Sequence, residues 1–328
     1  MHIVIIGGTG HIGTYLVPRL VEAGHEVTVI NRGQQPPYQP HKAWNHVKRV
    51  TLDREAEEKA GLFGGKIRSL EPDAVIDMIC FREESARHLV EALRGTVQYF
   101  LHCSTAWVHG KTVQVPVTED QPRQPIGDYG IKKAAIEAYL LGEARQKGFP
   151  ATCILPGHIV GPGWVPLNPQ GNFNPQVYAH LGRGDEITLP NQGTEVVHHV
   201  HADDVAQLFM KALASWKEAV GQSFHAVSPA ALTLRGYAES VAAWFGKPAR
   251  LKFLPWEEWR TAVSPEDAQS TLAHLEHSPN CYSIAKAQHL LDYQPRYSSL
   301  EAVHESVQWL VANGVIDLYP PSSTASAS

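Results

Sequence analysis

The sequence predicts an α/β fold built on a doubly wound parallel sheet, with a smaller C-terminal substrate domain. Short runs rich in β-branched residues alternate with helical stretches over the first half of the chain. Several of these runs are almost entirely apolar, which is typical of parallel strands covered on both faces. Strand–helix alternation of this kind indicates a parallel sheet with helices on each side.

The elements follow from hydrophobic periodicity and from the residues that stop it. The first predicted helix contains Pro18, which removes one backbone hydrogen bond, and it stops at Gly24. Asp128 is expected to cap the longest helix. The predicted strands are 2–6, 26–30, 47–50, 73–78, 98–104 and 151–156, with a further apolar run at 223–227. The predicted helices are 14–23, 128–147, 203–217, 233–245 and 299–313.

The amino-acid composition changes after Pro156. Residues 157–175 are rich in Gly, Pro and Asn and are expected to form a long loop that leaves the sheet. We therefore place a dinucleotide-binding domain at 1–165 and a mainly substrate-binding region at 166–318. Within that region, about 200–228 is expected to return to the sheet. The small, polar residues 319–328 predict a disordered tail.

Composition narrows the function. The 328 residues carry a net charge of −5, which weighs against nucleic acid as the main partner. No apolar run has the length that a bilayer requires, and the first residues lack a signal-peptide pattern, so a cytoplasmic location is expected. The four cysteines form no CxxC pair, and most lie in apolar runs, where they are expected to act as small buried hydrophobic residues.

A glycine motif, "GGTGHIG" at 7–13, follows the first predicted strand and opens the first predicted helix. A side chain there would obstruct the sharp turn, the approach of backbone amides to a phosphate, or helix–strand packing. The free N–H groups of the helix N-terminus attract a pyrophosphate. The motif therefore predicts a Rossmann-type dinucleotide site. Its predicted cofactor-binding residues are Gly7, Thr9, Gly10, His11, Ile12 and Gly13.

The end of the second strand is expected to meet the adenosine ribose. A carboxylate there would repel a 2′-phosphate, but this chain has the neutral Asn31 followed by Arg32, whose cation suits phosphate. NADP is therefore favoured over NAD, with a solvated loop charge as the alternative for Arg32. Asp53 is equally compatible with a contact to the adenine amino group and with an ordinary loop position.

Tyr129 and Lys133 are four residues apart, which places them on one face of the longest predicted helix. The pKa of a tyrosine is about 10, and a nearby ammonium is expected to lower it into the working range of an acid or base. Ser104 and Thr105, at the end of the fifth strand, supply hydroxyls for a substrate oxygen. The alternative is a solvated helix face with no chemistry.

Six motifs resemble the extended short-chain dehydrogenase/reductase family of epimerases and dehydratases: "GGTGHIG", "STAWVHG", "YGIKK", "LPGHIVGPG", "HVHADDVA" and "YSIAKAQHLLDYQPRYSSLEA". The resemblance implies that Thr105, assisted by Ser104, orients the substrate oxygen, that Tyr129 is the acid/base and that Lys133 supports it and holds the nicotinamide ribose. It also implies that 156–160, beginning with Pro156, lines the nicotinamide. The implied reaction is reversible hydride transfer at a secondary alcohol or ketone of a small polar substrate, run twice in an epimerase.

The chain departs from that family's pattern at positions that bear on the substrate. Ala106 and Trp107 stand where the family's dehydratases have Asp and Glu, which makes that dehydration unexpected. Val197 stands where nucleotide-sugar enzymes have an Arg for the diphosphate, and a second such Arg has only His274 and His277 near its place.

The sequence also resembles a branch related to chloroplast stem-loop RNA-binding proteins. RNA binding, or nucleotide sensing without redox turnover, is therefore the competing hypothesis. The complete Tyr129/Lys133 pair and the negative net charge weigh against it. A homodimer through the 128–147 helix is a further expectation that the resemblance supports.

Three histidines, His198, His199 and His201, raise the question of a metal site. No carboxylate or cysteine cluster completes a ligand set, and the resembling family also has a histidine at 201. Structural roles and no bound metal are therefore expected.

Overall fold

The computed structural model describes residues 1–318, so the predicted disordered tail lies outside the described residues. In chain order the strands are β1 (His2–Ile6), β2 (Glu26–Asn31), β3 (Lys48–Thr51), β4 (Ala74–Asp77), β5 (Tyr99–Cys103), β6 (Ala151–Pro156), β7 (His158–Val160), β8 (Glu186–Pro190), β9 (Val196–Val197), β10 (His199–His201), β11 (Ser223–Ala226), β12 (Leu232–Thr233) and β13 (Arg250–Leu254).

The α-helices of the same residues complete the inventory. They are α1 (His11–Glu22), α2 (Arg54–Lys59), α3 (Phe63–Arg68), α4 (Glu83–Leu93), α5 (Gly127–Lys147), α6 (Gln176–Arg183), α7 (Ala202–Ala214), α8 (Trp216–Ala219), α9 (Leu234–Trp244), α10 (Trp256–Trp259), α11 (Pro265–Glu276), α12 (Ala285–Leu291) and α13 (Ser299–Ala312). Two short 3₁₀ turns occur at Lys42–His46 and Ala106–His109.

The central sheet has seven strands in the order β11-β6-β5-β4-β1-β2-β3. All neighbouring pairs are parallel, which confirms the predicted α/β class with a doubly wound sheet. Strand order reverses between β1 and β4, and ligands of such sheets bind outside the carboxyl ends of the strands at that reversal. The glycine motif lies at this point.

Two hydrophobic clusters cover the two faces of the sheet. One contains residues of α1 and α7, and the other contains residues of α4 and α5. A third cluster joins α6, α9 and α13 in the C-terminal part of the chain. Val197 belongs to this third cluster and is fully buried.

Two sequence predictions about local structure are wrong. Asp128 does not cap α5, because the helix begins at Gly127 after the N-cap residue Ile126, and the Asp128 carboxylate pairs with Lys132 one turn later. The predicted loop 157–175 is not loop throughout, because His158–Val160 pairs in parallel with His199–His201. That pairing joins segments distant in sequence, so local composition could not reveal it.

Candidate active site

The glycine loop is shaped by close backbone contacts. Gly7 has φ +85° and donates its N–H to the carbonyl of Ile30 at 2.8 Å, which ties the loop to the end of β2. A Cβ on Gly13 would lie 2.0 Å from the carbonyl oxygen of Gly8, so helix α1 packs directly on the loop. A Cβ on Gly10 would meet only the carbonyl oxygen of Gly7, at 3.5 Å. The fold thus leaves open space above Gly10.

The N-terminus of α1 is free to bind an anion. No side chain caps the helix, and its first turn contains no acidic residue. The first N–H that reaches back to Gly10 is that of Thr14, so the amides of His11, Ile12 and Gly13 have no partner within the helix. These amides and the positive end of the helix dipole fit a pyrophosphate.

A cleft of about 840 Å³ runs from this loop across the carboxyl ends of β2, β3 and β4. Its lining includes the predicted residues Gly7, Thr9, Gly10, Asn31, Arg32, Asp53 and Tyr129. The glycine motif, the presumed adenosine end and the tyrosine of α5 therefore border one continuous space, whose size suits a dinucleotide.

The end of the cleft beside β2, where the sequence predicts the adenosine, is built from short-range contacts. The Asn31 amide donates to the Thr9 hydroxyl at 3.5 Å, and its oxygen accepts from the Gly33 N–H at 2.8 Å. Arg32 is exposed at the rim. The carboxylate of Asp53 accepts from the Ala56 N–H at 3.1 Å and so caps α2. The cap is a local structural role for Asp53. The carboxylate remains exposed at the cleft, so the predicted contact with the adenine amino group stays open.

Several lining residues were not predicted from the sequence because they follow strands without forming a recognisable motif. Ile79 and Phe81 follow β4, and Phe81 is 52% exposed. Arg54 is buried and donates to Glu58 at 2.6 Å and to Asp77 at 2.7 Å. The rule that carboxyl ends of parallel strands converge would have pointed to the residues after β4.

Four predicted catalytic residues come together at the end of β5. The Thr105 hydroxyl accepts from the Trp107 N–H at 3.3 Å. The hydroxyl of Ser104 is buried without a hydrogen-bond partner. The Lys133 ammonium donates to the Cys103 carbonyl at 2.8 Å and lies 4.8 Å from the centre of the Phe81 ring. Tyr129 is 45% exposed and faces the cleft.

The electrostatics of Tyr129 differ from the sequence expectation. Partial burial of Tyr129 and the Cys103 thiol raise the pKa of Tyr129 to about 12, while interaction with the Thr105 hydroxyl lowers it. The Lys133 ammonium lies 6.0 Å from the centre of the Tyr129 ring and points to a carbonyl instead. Burial lowers the pKa of Lys133 itself. The ammonium therefore does not bring the pKa of Tyr129 toward neutral pH.

Three predicted cofactor residues turn their side chains away from the cleft. Ile12 is buried in the core, and Pro156 ends β6 in register with Ala226. The His11 ring stacks on Trp164 with ring centres 5.0 Å apart, and burial lowers its pKa to about 3. Only the backbones of His11 and Ile12 are available to a dinucleotide.

The three adjacent histidines have structural partners. His198 contacts the Ser228 carbonyl at 2.8 Å, and His199 contacts the Leu167 carbonyl at 3.0 Å. His201 caps α7 by accepting from the Asp203 N–H at 3.0 Å. Across residues 1–318, no group of three or more His, Cys, Asp or Glu side chains is arranged to hold a metal ion. In the same part of the chain, no helix is both long and apolar enough to cross a membrane.

The parallel sheet, the open helix N-terminus and the glycine loop define a Rossmann-type dinucleotide-binding protein. A family profile described as the NAD dependent epimerase/dehydratase family matches residues 3–225. The chain belongs to this family, which confirms the predicted relationship to extended short-chain dehydrogenases/reductases. Membership indicates a nicotinamide cofactor.

Curated relatives cover most of the chain. A 2'-dehydrokanamycin reductase of Streptomyces kanamyceticus is 26% identical over 314 residues, which are 96% of this chain and 86% of that protein. The chloroplast stem-loop binding protein of 41 kDa b of Arabidopsis thaliana is 27% identical over 317 residues, 93% of this chain and 78% of that protein. The relatives thus include both a reductase and a protein named for binding a stem-loop.

Solved structures share the fold. A UDP-glucuronic acid 4-epimerase from Bacillus cereus, solved with UDP-glucuronic acid and NAD, has a TM-score of 0.72 and 17% sequence identity. The match covers 95% of this chain and 100% of that one. At this identity the likeness shows the fold alone.

Proposed function

We propose that the protein is an NAD(P)-dependent oxidoreductase or epimerase that acts on a secondary alcohol or ketone of a small polar substrate. One observation carries the proposal: Tyr129 borders the same cleft as the glycine loop and the open N-terminus of α1. A proton donor and a dinucleotide site in one cleft are the two parts that carbonyl reduction requires.

The position of each residue gives it a separate role in the proposed reaction. When bound, the nicotinamide supplies or accepts the hydride. Tyr129 gives a proton to the carbonyl oxygen in reduction and removes it from the hydroxyl in oxidation. Thr105, with the unpartnered hydroxyl of Ser104, orients that oxygen. Lys133 would hold the nicotinamide ribose.

The raised pKa of Tyr129 bears on whether the protein favours reduction or oxidation. A phenol with a pKa of about 12 stays protonated at neutral pH and so suits the acid role in reduction. Oxidation needs the phenolate, so the rate of oxidation should rise with pH. A bound cofactor or substrate that lowers the pKa of Tyr129 would move this rise to lower pH.

NADP is the proposed form of the cofactor. Arg32 lies exposed at the rim of the cleft after β2, and neither it nor Asn31 places a carboxylate where a 2′-phosphate would lie. The pyrophosphate would lie on the glycine loop, with Asp53 exposed at the adenosine end and Pro156 behind the nicotinamide.

Dehydration and nucleotide-sugar binding fit the site less well. Ala106 is fully buried and Trp107 carries no acid or base, so the acid pair of the resembling dehydratases has no counterpart. Val197 is packed in the C-terminal core, where a charged side chain would be costly. Reduction and epimerisation share the same hydride step, and both remain within the proposal.

The substitution Tyr129→Phe tests the proposal. Turnover of a carbonyl panel with NADPH should fall by about 100-fold to 10,000-fold, because the proton donor is lost. Dinucleotide affinity, measured by fluorescence titration, should stay within about threefold, a difference below 1 kcal/mol.

Tyr139→Phe is the matched control, because Tyr139 lies on the same helix with its ring against Arg87. Its turnover should equal that of the unsubstituted protein. Full turnover by the Tyr129→Phe variant would overturn the catalytic assignment.

A further inference from the structure

A cluster of aromatic rings extends from Tyr129 into the C-terminal part of the protein. We call it the imidazole cluster: His158, His199, His274 and His277, with Trp107 at its outer end. Trp107 lies 6.4 Å from Tyr129 between ring centres and stacks on His277 at 4.0 Å. His158 lies 5.7 Å from Trp107, 5.6 Å from His274 and 6.2 Å from His199.

Every histidine of the cluster has a ring nitrogen without a partner. These buried atoms are Nε2 of His158, His274 and His277 and Nδ1 of His199. Most buried polar atoms in proteins are hydrogen-bonded, and each exception needs a physical explanation. These four atoms lie in one cluster beside Tyr129, where a polar ligand would satisfy them.

The partner of the second nitrogen in each ring determines whether the unpartnered nitrogen donates or accepts a hydrogen bond. His199 Nε2 lies 3.0 Å from the Leu167 carbonyl and His277 Nδ1 lies 2.7 Å from the Ala273 carbonyl, so both must donate there. Their free nitrogens are therefore acceptors while the rings are neutral. His274 Nδ1 faces the Asn280 amide nitrogen at 3.5 Å, which leaves Nε2–H as a donor.

The cluster offers acceptors and a donor but no cation. Burial lowers the pKa of His158 to about 4 and that of His199 to about 3, and it also lowers the pKa of His274 and His277. A hydroxyl group both donates and accepts, so it satisfies either kind of ring nitrogen. A diphosphate would lose water without gaining a positive charge.

The outer end of the cluster lies beside Tyr129, which borders the cleft. Trp107 and His158 are half-buried, whereas His199, His274 and His277 are buried. The two outer rings thus connect the open side of Tyr129 with the inner imidazoles. A ring-shaped ligand whose reacting carbon lies at Tyr129 would direct its remaining hydroxyls into the cluster.

We propose that the imidazole cluster selects an uncharged, hydroxyl-rich ring, such as a free sugar or cyclitol, over a nucleoside-diphosphate sugar. The inference rests on the proposed function, because it takes Tyr129 as the reacting end of the site.

The test compares two panels with the full chain saturated with NADP. One contains unphosphorylated hexoses, pentoses and cyclitols, and the other contains UDP-hexoses. Binding is followed through the ring-nitrogen signals of protein labelled with nitrogen-15 histidine, which requires no turnover. An uncharged compound should shift the signals of His158 and His274, and the UDP-hexoses should leave them unchanged.

Variants separate recognition from folding. His158→Gln and His274→Phe should each weaken binding of that compound by about tenfold or more, because a buried hydrogen bond is lost. His289→Gln, an exposed histidine of α12, is the matched control and should bind as the unsubstituted protein does. Equal melting temperatures would show that the half-buried His158 variant is folded.

Three outcomes would overturn the inference: tighter binding of UDP-hexoses, no binding of any uncharged ring, or binding that the cluster variants leave unchanged. Failure of the proposed function is recognised separately, because it would appear as absent dinucleotide binding or as undiminished turnover by Tyr129→Phe.

Discussion

Gly10 and Gly13 belong to one motif, but their missing side chains serve different purposes. A Cβ on Gly13 would collide with the backbone of Gly8, whereas a Cβ on Gly10 meets only an ordinary contact at 3.5 Å. Gly13 is thus required by packing, and we propose that Gly10 is required by the approach of the pyrophosphate. Sequence spacing identifies the motif but cannot separate these two roles.

Gly10→Ala should leave the free energy of unfolding nearly unchanged and weaken NADPH binding by about tenfold or more, because the methyl group lies in the path of the pyrophosphate. Gly13→Ala should destabilise the fold by about 1 to 3 kcal/mol or more. Urea unfolding and fluorescence titration measure the two effects.

The control for both is Gly142→Ala in the middle of α5, where a Cβ would meet nothing within 4 Å. This change should stabilise the helix by up to about 1 kcal/mol. Equal loss of stability in the Gly10 and Gly13 variants would contradict the division of roles.

Some properties of individual residues depend on burial and could not be predicted from the sequence. The four-residue spacing of Tyr129 and Lys133 correctly places both on α5, but the raised pKa of Tyr129 follows from its surroundings. Likewise, Asp128 is a residue type that often caps helices, but it lies one residue inside the helix. The helix begins with Gly127, which has a left-handed conformation with φ +69°.

At the scale of elements, α5 carries Tyr129 and Lys133 and is anchored at mid-length by an ion pair whose carboxylate is buried. Glu137 is 2% exposed and accepts from Arg123 at 3.0 Å and 2.7 Å. The hydroxyl of Ser223 in β11 donates to the same carboxylate. The Glu137 carboxylate therefore joins the helix to the preceding loop through Arg123 and to the edge strand of the sheet through Ser223.

Arg123→Ala should lower the free energy of unfolding by about 3 kcal/mol or more, because the Glu137 charge stays buried without its partner. Thermal or urea unfolding measures the change. The double variant Arg123→Met with Glu137→Gln should recover most of the loss.

Arg260→Ala, which removes an exposed pair with Glu257, is the control and should cost less than about 1 kcal/mol. A loss for Arg123→Ala as small as that of the control would show that the buried pair does not anchor α5.

Most strands of the central sheet were predictable because their apolar runs are buried on both faces, whereas β3 is mostly exposed. Helix α4 has no counterpart among the predicted helices, since charged residues dominate its exposed face and leave only a narrow apolar stripe of Leu89, Val90 and Leu93. The pairing of β7 with β10 was equally unpredictable, because each strand has three residues and gains its partner only in the folded protein.

At the scale of the whole molecule, buried histidines make stability depend on pH. Burial lowers the pKa of His109 to about 2, of His11 and His199 to about 3, and of His158, His198 and His225 to about 4. Their pKa in the unfolded chain is about 6.5. Their stabilising contribution is therefore complete above pH 6.5 and decreases as the pH falls toward the folded values.

The free energy of unfolding should consequently fall steeply between pH 6.5 and pH 5, before most carboxylates protonate. Each such histidine contributes up to about 1.4 kcal/mol per pH unit. Urea unfolding across this window measures the slope. His109→Gln should reduce it by one group, and the exposed His289→Gln should not change it, whereas a stability independent of pH down to 5 would contradict the burial of these rings.

The central claim, a dinucleotide held by the glycine loop, is tested most directly by native mass spectrometry of the purified protein, followed by release and identification of any bound cofactor. We expect one dinucleotide per chain, either retained through purification or taken up from added NADPH. Retention would favour an epimerase that recycles its cofactor, and uptake would favour a reductase that exchanges it. A protein that binds neither NAD nor NADP in either redox state would contradict the account and make RNA binding the leading hypothesis.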